Sequence, residues 1–151
     1  MHMLKAALLM TLLAVPVAAQ EWQRFEDSNA GYSIEVPADF VPSGDGLGFV
    51  RPGKVQKIMV WSGSASGSFE AAVSSENAVL ESDAWAISGQ TVTPRWAKVS
   101  GIKGIQTFTQ RMIVLCDGAG YAAFRAEYSV ADTVEMEPII AGLTRSLQAN
   151  C

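Results

Sequence analysis

The stretch from Gln106 to Tyr128 reads QTFTQRMIVLC, then DGAG, then YAAFRAEY. Two β-rich runs around a Gly-containing turn predict an antiparallel hairpin. In the second run Ala122, Phe124, Ala126 and Tyr128 alternate with Ala123, Arg125 and Glu127. That period of two puts the larger rings on one face and the charges on the other. The first run ends in Met112, Ile113, Val114 and Leu115, apolar on both faces, as a central strand requires.

Working outward toward the N-terminus, Gly101–Gly104 (GIKG) is a turn into this hairpin. Gln90–Ser100 alternates in part, and Pro94 inside it predicts an edge strand or a bulge. Trp85 and Ile87 fall in a connecting stretch ended by Gly89. Ser68 suits the N-cap of a helix from Phe69 to about Glu81, with Phe69, Ala72, Val73, Glu76 and Leu80 along one side and Val79 beside it. The polar run Ser62–Ser68 is a connection within one domain. Val55–Ser62 pairs with Leu47–Arg51 across a Pro52-Gly53 type II turn. Trp22–Glu26 and Tyr32–Val36 form an N-terminal hairpin, which Pro37 ends.

Beyond Tyr128 the chain closes with a helix whose stripe is Met136, Ile139, Ile140, Leu143 and Leu147. Pro138 suits its first position. Alternatively Asp132 and Glu135 form a capping box, the helix starts earlier, and Pro138 kinks it. Strands joined by tight turns are antiparallel, and helices with one apolar side cover a sheet face. The expected fold is α+β: an antiparallel sheet of about seven strands flanked by two helices.

Met1–Ala19 has the form of a secretory signal peptide: basic Lys5, apolar Ala6–Pro16, and small residues at Val17-Ala18-Ala19. The apolar run is short for a span of about 20 residues. No Cys at the cleavage point indicates a lipid anchor, and no later stretch is apolar enough to cross a bilayer. The expected organisation is a signal peptide at 1–19 and one exported globular domain at 20–151, periplasmic or secreted. The mature chain would hold 132 of the 151 residues, enough for a real core. Of 11 basic residues Lys5 leaves with the signal, so 10 face 15 acids, a net charge of −5. Such a chain, with no basic run, is a poor binder of nucleic acid or anionic lipid.

The single His, His2, lies in the signal. The mature chain therefore excludes Ser-His-Asp and Cys-His nucleophile systems and His-ligated zinc or copper. Gly44–Gly48 (GDGLG) is not a phosphate loop, because a strand follows it and not a helix. Asp45 lacks the spaced carboxylates of a calcium loop. GIKG superficially matches the clamp of KH RNA-binding domains but lacks the flanking helices. No cofactor or metal is expected. Cys116 and Cys151 in an exported protein pair most simply as one disulfide; two free thiols are the alternative, since spacing does not establish geometry.

YSIEVPADF, GDGLGF followed by IMVW, WAKVSGIKG and EPIIAGLTRSL occur in this order. With them the chain resembles small exported bacterial proteins of the PsbP-like fold. That fold is shared by the extrinsic PsbP subunit of photosystem II and a Ran-binding nuclear import factor. The resemblance implies an α/β/α sandwich and an accessory or binding role. It transfers no functional residue.

Two functions follow as expectations. The first is an exported, non-catalytic accessory or binding protein with a protein or small-molecule partner in the cell envelope. Trp61, Trp85, Arg95 and Trp96 are its candidate contacts, because aromatic residues and Arg dominate binding hot spots. Ordinary core placement of the Trp residues is the alternative. The second function is a carboxylate-based hydrolase of the envelope, drawing on Asp39, Asp45, Asp117, Asp132 or Glu127. Each of these acids is more simply a turn, cap or solvated-face residue.

Overall fold

A computed structural model describes residues 20–65 and 67–151. The expected signal peptide at 1–19 lies outside the described residues. Strands are β1 Trp22–Asp27, β2 Tyr32–Pro37, β3 Val41–Pro42, β4 Gly48–Val50, β5 Gln56–Ser64, β6 Ala86–Val92, β7 Trp96–Lys103, β8 Gln106–Val114, β9 Gly120–Ser129 and β10 Gln148–Ala149. Helix α1 is Phe69–Ser82 and α2 is Thr133–Ser146, the latter preceded by a 3-10 turn at Val130–Asp132.

The predicted hairpin β8–β9 is central to a seven-stranded antiparallel sheet ordered β3-β4-β5-β9-β8-β7-β6. The Asp117 carboxylate organises its turn, accepting from the backbone N–H of Ala119 (2.9 Å) and Gly120 (3.2 Å). Gly118 takes the positive φ of 71° that the turn needs.

The alternation in β9 builds two cores. Ala122, Phe124, Ala126 and Tyr128 join Ile58 of β5 and the α2 stripe Met136, Ile139, Leu143 and Leu147. Tyr32, Ile34 and Val36 of β2 and the plug Phe40 close this core. Tyr121 and Ala123 face the other way, with Ala97, Val99, Phe108 and Met112, beneath Phe69, Ala72, Val73 and Leu80 of α1. The two helices therefore lie on opposite faces of the sheet, which is the expected α/β/α arrangement. Ser68 caps α1 as predicted, its hydroxyl accepting from the Ala71 N–H at 3.1 Å.

Three local expectations are corrected. The N-terminal hairpin is not part of the main sheet. It pairs β1-β2-β10 as a second, three-stranded sheet on the α2 side. The tail that completes it, Gln148–Ala149, is too short to be read as a strand. Residues 86–92 are a strand and not a connection, and Pro94 sits in the turn after it. The Thr93 hydroxyl closes that turn, donating to the Trp96 carbonyl at 2.7 Å and accepting from the Trp96 N–H at 3.0 Å. Finally, Pro138 lies inside α2 and not at its first position. The capping box does not form: the Asp132 side chain makes no cap bond and instead accepts from Gln56 Nε2 at 3.1 Å. Glu135 turns instead to Arg51 (2.7 Å) and Lys54 (2.9 Å), so its carboxylate is held by two cations.

Cys116 and Cys151 form a disulfide, with Cα atoms 5.6 Å apart and 35 residues of separation. Cys151 follows β10, so the bridge fastens the small sheet's last strand to the β8–β9 turn. Its hold on α2 passes through β10 and is not direct. Among the described residues no helix is long and apolar enough to cross a membrane.

Candidate functional site

The four candidate contacts do not form one cluster. Trp85 is buried beneath α1, edge-on to Phe108 at 5.0 Å, with the Lys103 ammonium 4.7 Å from its ring. Trp61 is half-buried on the α1-side face of β5, where the Arg125 guanidinium sits 5.3 Å from its ring centre. Arg125 is itself held by Gln110 (2.9 Å) and Glu127 (3.4 Å), so its charge is already answered. Arg95 is exposed in the turn before β7, and its carbonyl accepts from the Val114 N–H at 3.0 Å. Trp96 alone lies on the α2-side face, half-buried, with the Arg111 guanidinium 4.7 Å from its ring centre.

Around Trp96 a different set converges. Helix α2 packs over β2 and β9 and β10 reaches β8, leaving the β7–β8 half of that face only partly covered, with Lys98 and Ile102 exposed. Between the helix and strands β7 and β8 runs a groove of about 560 Å³, lined among others by Lys98, Thr109, Glu137, Thr144 and Arg145. Lys98 of β7 and Arg111 of β8 stand directly opposite each other in the sheet register. Like charges at paired positions repel. Among the described residues, ion pairs engage Arg24, Arg51, Lys54, Lys57 and Arg125, and none engages Arg95, Lys98, Arg111 or Arg145. The Arg111 Nε is buried without a hydrogen-bond partner. Burial also pulls the Arg111 guanidinium below the usual arginine value. A chain with an acidic balance thus gathers unneutralised cations beside an aromatic ring. Such an arrangement suits anionic side chains on an incoming partner.

Read from the sequence, Arg145 faces water near the end of the last helix, and Lys98 and Arg111 carry no assigned role. A signal was present. The GIKG turn pairs Lys103 with Gln106, and counting back along both strands sets Lys98 against Arg111.

The candidate acids are placed separately. Asp39 pairs with Arg51 at 2.8 Å. Asp45 caps its own turn, and chiefly the Ser43 hydroxyl holds its carboxyl below the usual range. Asp117 caps the β8–β9 turn, Asp132 meets Gln56, and Glu127 meets Arg125. In the groove the one lining carboxylate is Glu137. Among the described residues no group of three or more Cys, Asp, Glu or His side chains is placed to hold a metal ion.

With this geometry in hand, the molecule superposes on cyanobacterial PsbP (CyanoP) from Synechocystis sp. PCC 6803 with a TM-score of 0.65, covering 90% of this chain and 96% of that one at 9% identity. The fold is PsbP-like. The Ran-binding protein Mog1p of Saccharomyces cerevisiae gives a TM-score of 0.61 over 87% of this chain and 96% of its own, at 8% identity. A mutant Mog1 structure is similar at 0.59. No protein-family model and no curated protein matches the sequence. At identities this low the likeness concerns the fold.

Proposed function

We propose that this PsbP-like chain is an exported, non-catalytic accessory protein of the cell envelope, periplasmic or secreted, released from its signal peptide near Gln20. Its contact surface is the α2-side face of β7 and β8 with the groove beside α2. The observation that carries the reading is the unneutralised Lys98–Arg111 pair next to Trp96, in a chain of net negative charge. A disulfide fits an oxidising compartment. One structural neighbour is, by its description, a Ran-binding protein, which agrees with a binding role for the fold without naming a partner here.

Two experiments test this. N-terminal sequencing of the exported protein should find a start near Gln20, and an intact Met1 on a membrane-embedded chain would reject export. A photo-crosslinking residue at Ser100, on the α2-side face of β7, should yield a discrete adduct in cells. The same residue at Ala71, on the outer side of α1, should not. Adducts from Ala71 alone would place the contact surface elsewhere.

A further inference from the structure

The two sheets have four edges among the described residues, and three are protected. Strands β3 and β10 are two residues long. Strand β1 carries Arg24, Glu26 and Asp27. Strand β6 is different: Ala86–Val92 reads AISGQTV, seven residues with no charge and no proline, most of them exposed. Natural edge strands of this length are blunted by charges, Pro or bulges, because unpaired backbone groups template another strand. The single bulge lies between Ile87 and Gly89, and beyond it the register from Gly89↔Ser100 to Val92↔Ala97 is regular. Among the described residues only β7 hydrogen-bonds the β6 backbone.

This free edge adjoins the unneutralised cations. Thr91 of β6 stands opposite Lys98, and Lys98 stands opposite Arg111, so the three form one row across the sheet on the α2-side face. A strand added outside β6 would continue that row. Strands lie about 4.8 Å apart, so its residue opposite Thr91 would start about 10 Å from Lys98, within the joint reach of a Lys and a Glu side chain. Alternate residues of the added strand would face the α1 side beside Gln90, which is already bonded to Asn77 at 2.5 Å and is neutral.

We infer that the β6 edge takes an extended segment of a partner protein, in which Asp or Glu alternates with neutral residues such as Thr or Val. This rests on the binding role proposed above and specifies how the face is used. Backbone hydrogen bonds to Gly89–Val92 supply affinity, and the acidic side chains, turned toward Lys98 and Arg111, supply selection. Self-pairing of two β6 edges does not satisfy the same site. Neither β6 carries an acid, so both Lys98–Arg111 pairs would stay unneutralised.

The test uses the full oxidised exported chain and a blocked synthetic peptide alternating Glu with Thr. Binding should weaken with salt and slow amide exchange at alternate positions of Gly89–Val92. It should fall about tenfold in Lys98→Gln/Arg111→Gln and stay unchanged in Arg24→Gln. Two further peptides carry N-methyl groups on one or the other alternating set of backbone amides. One of them should lose binding, because its ladder hydrogen bonds are blocked while its charge is intact. If both methylated peptides bind like the parent, strand addition is overturned and the charged-face reading survives. The inference also fails if a Lys-Thr peptide, free glutamate or phosphatidylglycerol vesicles compete equally well, or if the Glu-Thr peptide does not bind. Loss of the Ser100 adduct in cells would separately remove the binding role itself.

Discussion

Replacing Cys151 with Ser cuts a covalent tie between the β10 tail and the β8–β9 turn. The bridge closes a loop of 35 residues. In the chain-entropy treatment such a loop restricts the unfolded chain by about 4 kcal/mol. The folded tail keeps other anchors: buried Leu147, the β10–β2 pairing, and the Asn150 N–H donating to the Gly31 carbonyl at 2.9 Å. The native state should therefore persist, with the penalty falling on the unfolded side. The expected loss is about 3 kcal/mol, which for a domain of this size lowers Tm by roughly 10 °C. Urea unfolding followed by Trp fluorescence measures it, comparing oxidised wild type, Cys151→Ser and Cys116→Ser. Both variants and the reduced wild type should agree, with a larger m-value than the oxidised protein. In the variants, hydrogen exchange should quicken first at Ala149 and Asn150, and β8–β9 should stay protected. A loss under about 1 kcal/mol would refute the loop-closure argument. Early exchange across β8–β9 would refute the claim that the bridge holds only the tail.

Burial, then the 2.5 Å bond from its hydroxyl to Glu76, pushes the Tyr121 pKa up from 10.0 to about 12. A folded value above the unfolded one is stabilising below pH 10 and is lost as pH rises toward 12. Urea midpoints across that window should fall by an amount equivalent to about 3 kcal/mol, and Tyr121→Phe should flatten the slope. At the acid end the Lys54 ammonium chiefly, with Gln56 and Arg51 assisting, holds the Glu135 carboxyl below its usual range. Its contribution is present above the ordinary carboxylate value and disappears as pH falls through the lower folded value. Glu135→Gln should therefore reduce the acid-side loss of stability, measured as Tm against pH. Gly142→Ala should raise helix propensity by about 1 kcal/mol. The new methyl would meet the Trp22 ring, 2.7 Å from Cζ2, so the expected net effect is destabilising by about 1 kcal/mol with altered Trp22 fluorescence. A net stabilisation would mean the β1–β2 hairpin shifts freely.

Legibility tracked the range of the interaction. Ser68 as an N-cap, the β8–β9 hairpin and the Pro52-Gly53 turn are local, and each was readable from a few adjacent residues. Pro94 misled because proline marks both edge strands and turns, and only the pairing of β6 with β7 separates the two. Asp132 and Glu135 had capping-box spacing, yet Arg51 and Lys54, distant in sequence, drew Glu135 away. The Trp residues divided in the same way. Their type marked them as contacts or core, and strand parity with helix placement decided which.

By itself the sequence determined the α+β class, the two helix stripes and the absence of histidine after His2, because periodicity and composition are properties of the chain alone. Tertiary structure decided the second sheet, the exposed β6 edge and the meeting of Lys98 with Arg111. Each depends on which distant segments pair and where α2 stops covering the sheet. Those outcomes are set by the competition of whole apolar faces for burial, which a local run of residues does not encode.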